Sequence, residues 1–293
     1  MSKEDQQSLV AIPFSILVGI GMAWAGSQGG YSIAGIPIFA LGVAVAFLIN
    51  WLAFIPAFLK RTQAFYDLVG SITNITVILI SVLLTPIVDS RSWLMAGLII
   101  LWAGRLGYFL VTRVRLDGED RRFQEIKISL LRFLLAWTMQ GLWVTFTLAA
   151  ALAAITSTVK VPLDSFAIIG LLVWLVGFLI EVIADHQKRA FKAISENKDG
   201  FIRTGLWAWS RHPNYFGEIL LWIGVACMAF PVLRGWQYVT LLSPVFVAIL
   251  LTKISGIPML EANADKKWGS QPDYEAYKAE TPSLIPWPPK RTL

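Results

Sequence analysis

The sequence predicts an all-α protein, a polytopic transmembrane helical bundle. Among its 293 residues, 56% are hydrophobic and only 15% are charged. The mean hydropathy of +0.62 is far from that of an average soluble domain. Eight apolar runs have the roughly 17 to 25 residues that a helix needs to cross a hydrocarbon layer, and run length favours helix over strand. The predicted spans are Leu9–Gly26, Ile36–Leu59, Asp67–Val88, Trp93–Val114, Ser129–Thr156, Ser165–Ala184, Tyr215–Leu233 and Trp236–Gly256.

The positions of Lys and Arg predict how these spans are oriented. With the N-terminus placed inside, the inner segments hold 21 of these residues and the outer loops hold 3, while Arg105 is left within a span. Because cytoplasmic loops carry an excess of Lys and Arg, this split predicts eight spans with both termini cytoplasmic. Seven spans are the alternative, which would disturb the alternation. The longer, charged loops lie inside, so we expect a site that faces the cytoplasm; in a bacterial cell the membrane would be the inner one.

The residue types that the chain lacks disfavour several classes of function. Its net charge of +6 follows from the positive-inside distribution, so no nucleic-acid partner is predicted. A single cysteine, Cys227, forms no disulfide within the chain, and two histidines do not supply a His-rich or Cys/His metal site. Neither G-x-G-x-x-G nor G-x-x-x-x-G-K-[ST] occurs, so any nucleotide is held without the usual soluble folds. No repeat or linker stands out, which predicts a single domain over residues 1–293.

A charged stripe lies where the sixth predicted span ends. Glu181, Asp185, Arg189 and Lys192 follow an i, i+4, i+8, i+11 spacing, which places them on one face of a helix. One interpretation is a salt-bridged helix end with snorkelling side chains. The other is a cradle for a polyanion, because cations over two turns suit a dinucleotide phosphate and a carboxylate can hold a ribose hydroxyl. The residues alone leave both interpretations open.

The polar stretch Arg203–Glu218, RTGLWAWSRHPNYFGE, stands at the threshold of the seventh predicted span. We expect Gly205 to let the backbone turn, Pro213 to occupy the first helical turn, and Gly217 to admit a ligand or a neighbouring helix. A helix N-terminus with such side chains can bind an anion or a carboxamide. A helix cap with interfacial anchors is the simpler interpretation, but it does not account for an acid inside the apolar span. The candidate side chains are Arg203, Arg211, His212, Asn214, Tyr215 and Glu218.

A third polar group belongs to the third and fourth predicted spans. Asp67 and Arg105 carry opposite charges within membrane segments, so they are natural partners. A structural ion pair and an active-site pair are equally compatible with this pattern, and the position of Arg105 near the helix middle favours the active site. Asn74 is expected to form a hydrogen bond between helices. The whole group comprises Gln63, Tyr66, Asp67, Arg105 and Tyr108.

Two further segments are charged or aromatic. The run Arg113–Arg122 is most simply a solvated connector, with a loop that covers a cofactor as the alternative. The tail Glu261–Pro286 is amphipathic and aromatic enough to pack back on the cytoplasmic mouth of the bundle.

The string RHPNYFGE, the apolar helix after it and a tail of the form W-G…D-Y-x-x-Y…I-P resemble the C-terminal half of the steroid 5α-reductases and of the membrane sterol Δ14 and Δ7 reductases. The resemblance covers Glu181–Pro286 and implies a reductase to which NADPH binds from the cytoplasm. The residues implied to contact its adenosine and phosphates are Asp185, Arg189, Lys192 and Arg203. Those implied to lie near the nicotinamide or its ribose are Asn214, Tyr215 and Glu218. Arg211 and His212 complete the predicted cofactor-binding set.

The same resemblance implies hydride transfer from NADPH to the β-carbon of an enone, with an acidic group hydrogen-bonded to the carbonyl oxygen as enolate charge develops. The 5α-reductases carry a Gln-Glu pair on one helix and a Tyr three residues before an Arg on the next. Here Trp102 stands at the Tyr position, and the Gln-Glu position falls near Asp67. The proton donor would then be Tyr66, Asp67 or Tyr108. Asp67, positioned by Arg105 or Tyr66, is the candidate, because a carboxyl group among apolar helices can stay protonated and donate.

The implied substrate is a lipophilic enone, either a 3-oxo-4-ene steroid reduced to its 5α-dihydro product or a sterol-like lipid. A competing assignment is an S-adenosylmethionine-dependent methyltransferase, because the isoprenylcysteine carboxyl methyltransferases also use R-H-P-x-Y and a similar tail. The cations at Arg189, Lys192 and Arg203 favour a cofactor with several phosphates, and the spacing from Asn214 to Glu218 is nearer to that of the reductases. A transporter or scaffold would predict inverted repeats or paired broken helices, and neither is seen.

Overall fold

Helices dominate the structure, a computed structural model that describes residues 2–117, 123 and 126–288. Among these residues, eight segments are long and apolar enough to span a membrane. This confirms the predicted all-α polytopic class with eight spans. The spans are Lys3–Gly26, Ile38–Leu59, Tyr66–Leu84, Ser90–Leu110, Leu130–Thr156, Ser165–Ala193, Pro213–Val232 and Gly235–Trp268.

The chain divides into two compact units. Unit 1 comprises Met1–Ala167 and Met228–Ser243, and unit 2 comprises Ile168–Cys227 and Pro244–Leu293. The single domain expected over residues 1–293 stays a prediction, because compact packing within each unit does not establish whether either folds alone.

The central helix of unit 1 is α5, which packs against the other long helices of that unit. Nearly every side chain between Thr145 and Ser157 is buried. The alanine-rich run at residues 149–154 explains the close approach, because small side chains let helix backbones come near one another in a membrane. The long helices described in unit 1 are α1 (Lys3–Gly26), α2 (Ile38–Leu59), α3 (Tyr66–Leu84), α4 (Ser90–Asp117) and α5 (Leu130–Thr156).

A short antiparallel hairpin connects α1 to α2. Its strands are β1 (Ser32–Ile33) and β2 (Ile36–Pro37). Ala34 and Gly35 form the turn with φ values of 49° and 80°, and two consecutive positive φ values are typical of the type I′ turn that matches strand twist. The helix therefore begins at Ile38, two residues after the start that hydropathy predicts.

Arg91, at the start of α4, organises a buried cluster in unit 1. The residue is only 1% exposed, and Nη1 donates to the carbonyl oxygen of Met228 at 2.6 Å. Nη2 donates to Asp164 Oδ1 at 2.8 Å and to Pro162 O at 2.9 Å. The Arg91 guanidinium holds the pKa of Asp164 below its ordinary value. Because a buried guanidinium must be paired, Arg91 has a structural role that a count of loop charges does not reveal.

In unit 2, α6 (Ser165–Ala193) and α7 (Pro213–Ala229) pack through glycines. A Cβ atom placed on Gly217 would lie 2.6 Å from the carbonyl oxygen of Gly177, and one on Gly224 would lie 2.6 Å from that of Gly170. The contact positions rise from 170 to 177 along α6 while they fall from 224 to 217 along α7, so the two helices are antiparallel. We expected Gly217 to admit either a ligand or a neighbouring helix, and the structure shows the helix α6 beside it.

The last span is irregular, although hydropathy predicts one run over Trp236–Gly256. A 3₁₀ segment changes to α-helix at Ser243, and Pro244, which has no N–H to donate, lies in the first turn of that helix. The Ser243 hydroxyl donates to Thr147 O at 2.7 Å. After this point the chain re-forms helix and then leaves the apolar region. The elements are a 3₁₀ segment (Gly235–Leu242), α8 (Ser243–Ile249), a π-helical turn (Leu250–Ile254), α9 (Ile257–Trp268) and α10 (Pro272–Glu280).

Candidate functional site

Unit 2 joins the charged stripe of α6 to the Arg203–Glu218 stretch. Asn214 donates from Nδ2 to Asp185 Oδ1 over 3.2 Å, although 29 positions separate the two residues. Asp185 is 7% exposed, and Glu181, one turn earlier, is 3% exposed. Because buried carboxylates require polar partners, these acids organise the region around them. Two groups that are separate in the sequence are therefore one polar region.

The segment that leads into α7 is anchored on α6 by hydrogen bonds between side chains and backbone. Gly205 turns the chain with φ +62°, a conformation that glycine adopts without strain, as predicted. Leu206 N then donates to Gln187 Oε1 at 2.9 Å, and Trp207 Nε1 donates to Ala184 O at 3.0 Å. These contacts fix where α7 begins relative to α6.

Glu261 of α9 binds both residues that precede Pro213. Arg211 Nη2 and His212 Nε2 each lie 3.1 Å from Glu261 Oε1. Burial lowers the pKa of His212 below its ordinary value of 6.5, and the hydrogen bond and charge of Glu261 oppose that shift. Since a carboxylate only accepts, His212 Nε2 carries the proton in this contact. Arg211 and His212 were both predicted to bind the cofactor. Their side chains are held by Glu261, which the sequence analysis identified only as the first residue of the tail.

The tail Glu261–Pro286 packs back on the polar stretch within unit 2, and its position at the cytoplasmic mouth of the bundle stays a prediction. Arg211 N donates to Pro282 O at 2.9 Å, and the Ser210 hydroxyl donates to Leu284 O at 2.8 Å. These bonds fix the backbone immediately before α7.

The cations predicted to contact phosphate have different surroundings. Lys192 Nζ donates to two backbone carbonyl oxygens of the loop after α6, at 2.8 and 2.9 Å. Lys188, a neighbour on α6 that was not among the predicted residues, has its Nζ 4.7 Å from the centroid of an indole ring. Arg203 lies 3.5 Å from Asp273, with side chains 56% and 72% exposed, and so exposed a pair contributes little to stability. Arg189 is exposed near the end of α6. The contact of Arg203 is therefore the more exposed one, whereas Lys192 is half-buried and holds a loop.

The residues predicted to lie near the nicotinamide share the first turns of α7. Tyr215 stacks on His212 with ring centroids 5.8 Å apart. On another side, a Cβ atom placed on Gly256 would lie 2.9 Å from Tyr215 Cε2, so that glycine leaves room for the ring. Asn214 and Glu218 are half-buried on the same helix.

The predicted catalytic residues all belong to unit 1. Tyr66 begins α3, and its hydroxyl donates to Ala136 O at 2.9 Å. Asp67 follows in the first turn of α3 and is half-buried. Arg105 is half-buried on α4, whereas Tyr108 is 69% exposed. Because a proton donor works best in a dry, enclosed site, Asp67 suits this role better than Tyr108.

The helices α3 and α4 pack closely on one another. A Cβ atom placed on Gly107 would lie 2.9 Å from Ser71 Oγ. Asp67 and Arg105 therefore stand on adjoining helices. Trp102, which the resemblance predicts to stand at the position of the reductase tyrosine, is fully buried, and its ring centroid lies 6.3 Å from that of an indole ring of α5.

Two buried amides depart from the sequence expectations. Asn74 was predicted to bond between helices, but its Nδ2 donates to Gly70 O in its own helix at 2.9 Å. The prediction failed because a short amide side chain reaches the carbonyl one turn back. Gln140 of α5 was missed altogether, and its Nε2 donates to Tyr66 O at 2.9 Å. The sequence did contain a signal for Gln140, because an amide side chain inside an apolar run is expected to form a hydrogen bond with a neighbouring helix.

Among the described residues, no group of three or more His, Cys, Asp or Glu side chains could hold a metal ion. The side chains of the connector Arg113–Arg122 lie outside the described part of the chain, so neither interpretation of that run is tested.

These features define an integral membrane protein of the polytopic helical class. The family described as "Protein of unknown function (DUF1295)" matches residues 53–281, and the chain belongs to this family. Over 69 residues, the chain is 33% identical to the 3-oxo-5-alpha-steroid 4-dehydrogenase 1 of Bos taurus, which covers 24% of this chain. The match spans about a quarter of that relative, 26% of its length. No solved structure matches the chain significantly. Together the two matches suggest a distant likeness to the steroid 5α-reductases.

Proposed function

We propose that the protein is an integral-membrane, NADPH-dependent reductase that transfers hydride to the carbon–carbon double bond of a lipophilic enone. The hydrogen bond from Asn214 to Asp185 carries this proposal, because it joins a cationic helix end to the R-H-P-N-Y motif. The name of the bovine relative supports the substrate class, since a 3-oxo-5α-steroid is the product of reducing a 3-oxo-4-ene steroid.

The residues of unit 2 fit a dinucleotide. Lys188 and Arg189 are exposed near the end of α6, where cations can bind phosphate oxygens. Arg203 can exchange its exposed ion pair for a phosphate, and the buried Asp185 can orient Asn214 toward a ribose or a carboxamide. NADPH, when bound, supplies the hydride that the β-carbon receives. The cofactor-binding set also includes Lys192, Arg211, His212, Tyr215 and Glu218.

Proton donation is assigned to unit 1. Asp67 donates a hydrogen bond to the enone oxygen and so stabilises the negative charge that develops there as the β-carbon gains hydride. The proton that Asp67 transfers to the enolate ends on the α-carbon, which completes the reduction, and Asp67 regains a proton from solvent once the product has left. Arg105 and Tyr66 position the carboxyl group, and the apolar helices around it keep water away.

Ligand-induced stabilisation of the full chain in detergent tests the cofactor. We expect NADPH to raise the unfolding midpoint and S-adenosylmethionine to leave it unchanged, because only NADPH offers several phosphates to the cations. Asp185→Ala should weaken NADPH binding about tenfold or more, since a charge-assisted hydrogen bond is lost. Asp199→Ala is the matched control, because Asp199 is an exposed acid of the same unit that pairs with Lys267. Stabilisation by S-adenosylmethionine alone would replace the reductase with the competing methyltransferase.

Turnover tests the proton donor in the same preparation. NADPH consumption with a 3-oxo-4-ene steroid should fall about 100-fold or more in Asp67→Asn, because the amide keeps the shape of the side chain but is a far weaker acid. The affinity for NADPH should stay close to that of the wild type. Full activity in this variant would remove Asp67 from the mechanism.

A further inference from the structure

A groove opens on the surface of unit 1 where α1 ends and α2 begins. Its volume is about 460 Å³, and small-molecule sites have roughly 300–1,000 Å³. Ile20, Ala23 and Trp24 of α1 line it together with Ala40 of α2. Ile20 and Trp24 are more than half exposed and both helices are membrane spans. In a membrane this part of the groove is therefore open to lipid.

The end of the groove near the β1–β2 hairpin is polar. Ser27 and Gln28 follow the last turn of α1 and line the groove. The Ser27 hydroxyl donates to Ala23 O at 2.6 Å, so its oxygen stays available as an acceptor. The side-chain amide of Gln28 is half-buried and forms no hydrogen bond with another described residue. A ligand that is apolar along most of its length and polar at one end matches this distribution.

An exposed cation adjoins the polar end. A Cβ atom placed on Gly29, which lines the groove, would lie 4.0 Å from Arg234 Cβ. Nη1 of the exposed Arg234 donates to the carbonyl oxygens of Pro231 and Leu233 at 3.2 and 2.7 Å. Nε and Nη2, which form the other edge of the guanidinium, have no acceptor among the described residues. Because such an edge can bind a phosphate through two parallel hydrogen bonds, Arg234 suits a phosphate group.

Two tryptophans indicate how deep this end lies in the membrane. The ring centroids of Trp24 and Trp236 are 5.7 Å apart, and both side chains are more than half exposed. Tryptophan is enriched where hydrocarbon meets the head groups, so Gln28 and Arg234 stand close to head-group level. The charge distribution along the chain predicts that this end of α1 is the extracytoplasmic one.

We propose that the groove binds an anionic phospholipid. One acyl chain lies along Ile20 and Ala40, the phosphate binds the open edge of Arg234, and the Gln28 amide is a second donor. The residues that line the groove include no acid that would repel such a head group. A zwitterionic lipid also fits the apolar part, but its ammonium group offsets the attraction to the cation, so preference for a net negative head group distinguishes the site. The proposal does not depend on the reductase activity.

Photocrosslinking of the full chain in phosphatidylcholine nanodiscs tests the site. The probe, a small fraction of the lipid, is phosphatidylglycerol or phosphatidylcholine with a diazirine in one acyl chain, and the adducts are mapped by peptide mass spectrometry. Adducts on the groove residues of α1 and α2 are divided by those on Ile168 and Leu172, exposed side chains at the start of α6 that the predicted topology places in the same leaflet. We expect this ratio to be about fivefold higher for phosphatidylglycerol, the effect of one cation near an anionic lipid.

Variants localise the preference. Arg234→Gln should bring the ratios for the two probes to within about twofold of one another, whereas Arg234→Lys retains the charge and should retain most of the preference. Gln28→Leu removes the second donor and should lower the preference at least about twofold. Arg61→Gln is the control, because it removes the same charge from an exposed arginine just beyond the other end of α2; it should keep the wild-type preference.

Three results would overturn the proposal. Equal ratios for the two probes in the wild type, or a preference that survives Arg234→Gln, would mean that only ordinary bilayer lipid occupies the groove. Adducts on the groove residues that do not exceed the α6 reference would remove the lipid from the groove. Displacement of the anionic probe by glycerol 3-phosphate in solution would assign the cation to a soluble phosphate instead of a lipid. None of these results bears on NADPH binding or turnover, so the proposed function is tested separately.

Discussion

His212 is a buried imidazole that faces charges from three elements. Glu261 of α9 accepts a hydrogen bond from His212 Nε2 at 3.1 Å, while Arg211 beside it and Lys188 of α6 disfavour a positive charge on the imidazole. The result is a histidine whose pKa is lowered by burial and only partly restored by the acid. A neutral imidazole in this position keeps a donor at Nε2 and a stacking surface for Tyr215.

The lowered pKa of His212 predicts how stability depends on pH. Below pH 6.5, its ordinary pKa, the unfolded chain takes up a proton that the folded protein resists, so stability falls as the pH falls. Above that pH the imidazole is neutral in both states and contributes no dependence. We expect the unfolding midpoint in detergent to decline below pH 6.5, and His212→Gln to decline less.

His186→Gln is the control for this measurement. His186 is the other histidine of the chain and is exposed on α6, so its replacement should leave the decline unchanged. The same decline in His212→Gln as in the wild type would contradict the assignment to His212.

At the scale of elements, the approach of α6 and α7 depends on glycine. A Cβ atom at position 217 would meet backbone atoms of α6 at 2.6 and 2.7 Å, and backbone moves aside only if a whole helix shifts. Gly217→Ala should therefore lower the free energy of unfolding by about 1–3 kcal/mol. It should also weaken NADPH binding, because Asn214 and Asp185 sit on the two helices that are forced apart.

Gly104→Ala is the matched control for the helix contact. It lies in a membrane helix, α4, and a Cβ atom there would meet nothing within 4 Å. We expect no loss of stability and a gain of up to about 1 kcal/mol, because alanine is a better helix former than glycine. Equal effects at positions 104 and 217 would show that the close helix contact is not what matters.

Element boundaries were predictable only where hydropathy sets them. The starts and ends of α2 and α5 follow their apolar runs within two residues, because the cost of burying a polar residue in lipid is local. The hairpin before Ile38 and the interruption near Pro244 were not predicted. The hairpin lies mostly in the short loop before the second predicted span, and the interruption lies inside an apolar run. Hydropathy reports burial in lipid and not backbone conformation.

For the whole molecule, the charge asymmetry predicts a topology that cysteine labelling can test. In a Cys227→Ser background, Thr158→Cys and Ser270→Cys introduce single thiols at exposed positions in two different loops. With both termini cytoplasmic, a membrane-impermeant maleimide should label Thr158→Cys in sealed right-side-out vesicles and should label Ser270→Cys only after permeabilisation. Labelling of both in sealed vesicles would place the two positions on the same side, and so would contradict both the three spans that separate them and the cytoplasmic site.

The sequence by itself determined that the chain crosses the membrane, how many spans it has, and that polar groups gather near residues 181–218. Each of these depends on local composition, because a helix in lipid satisfies its backbone within its own segment. Tertiary structure decided which side chains meet. Asp185 and Asn214 are 29 positions apart, and His212 and Glu261 are 49 apart, so their contacts depend on how whole helices pack. The groove of unit 1 belongs to the same category, since only packing brings its apolar wall and the neighbouring cation together.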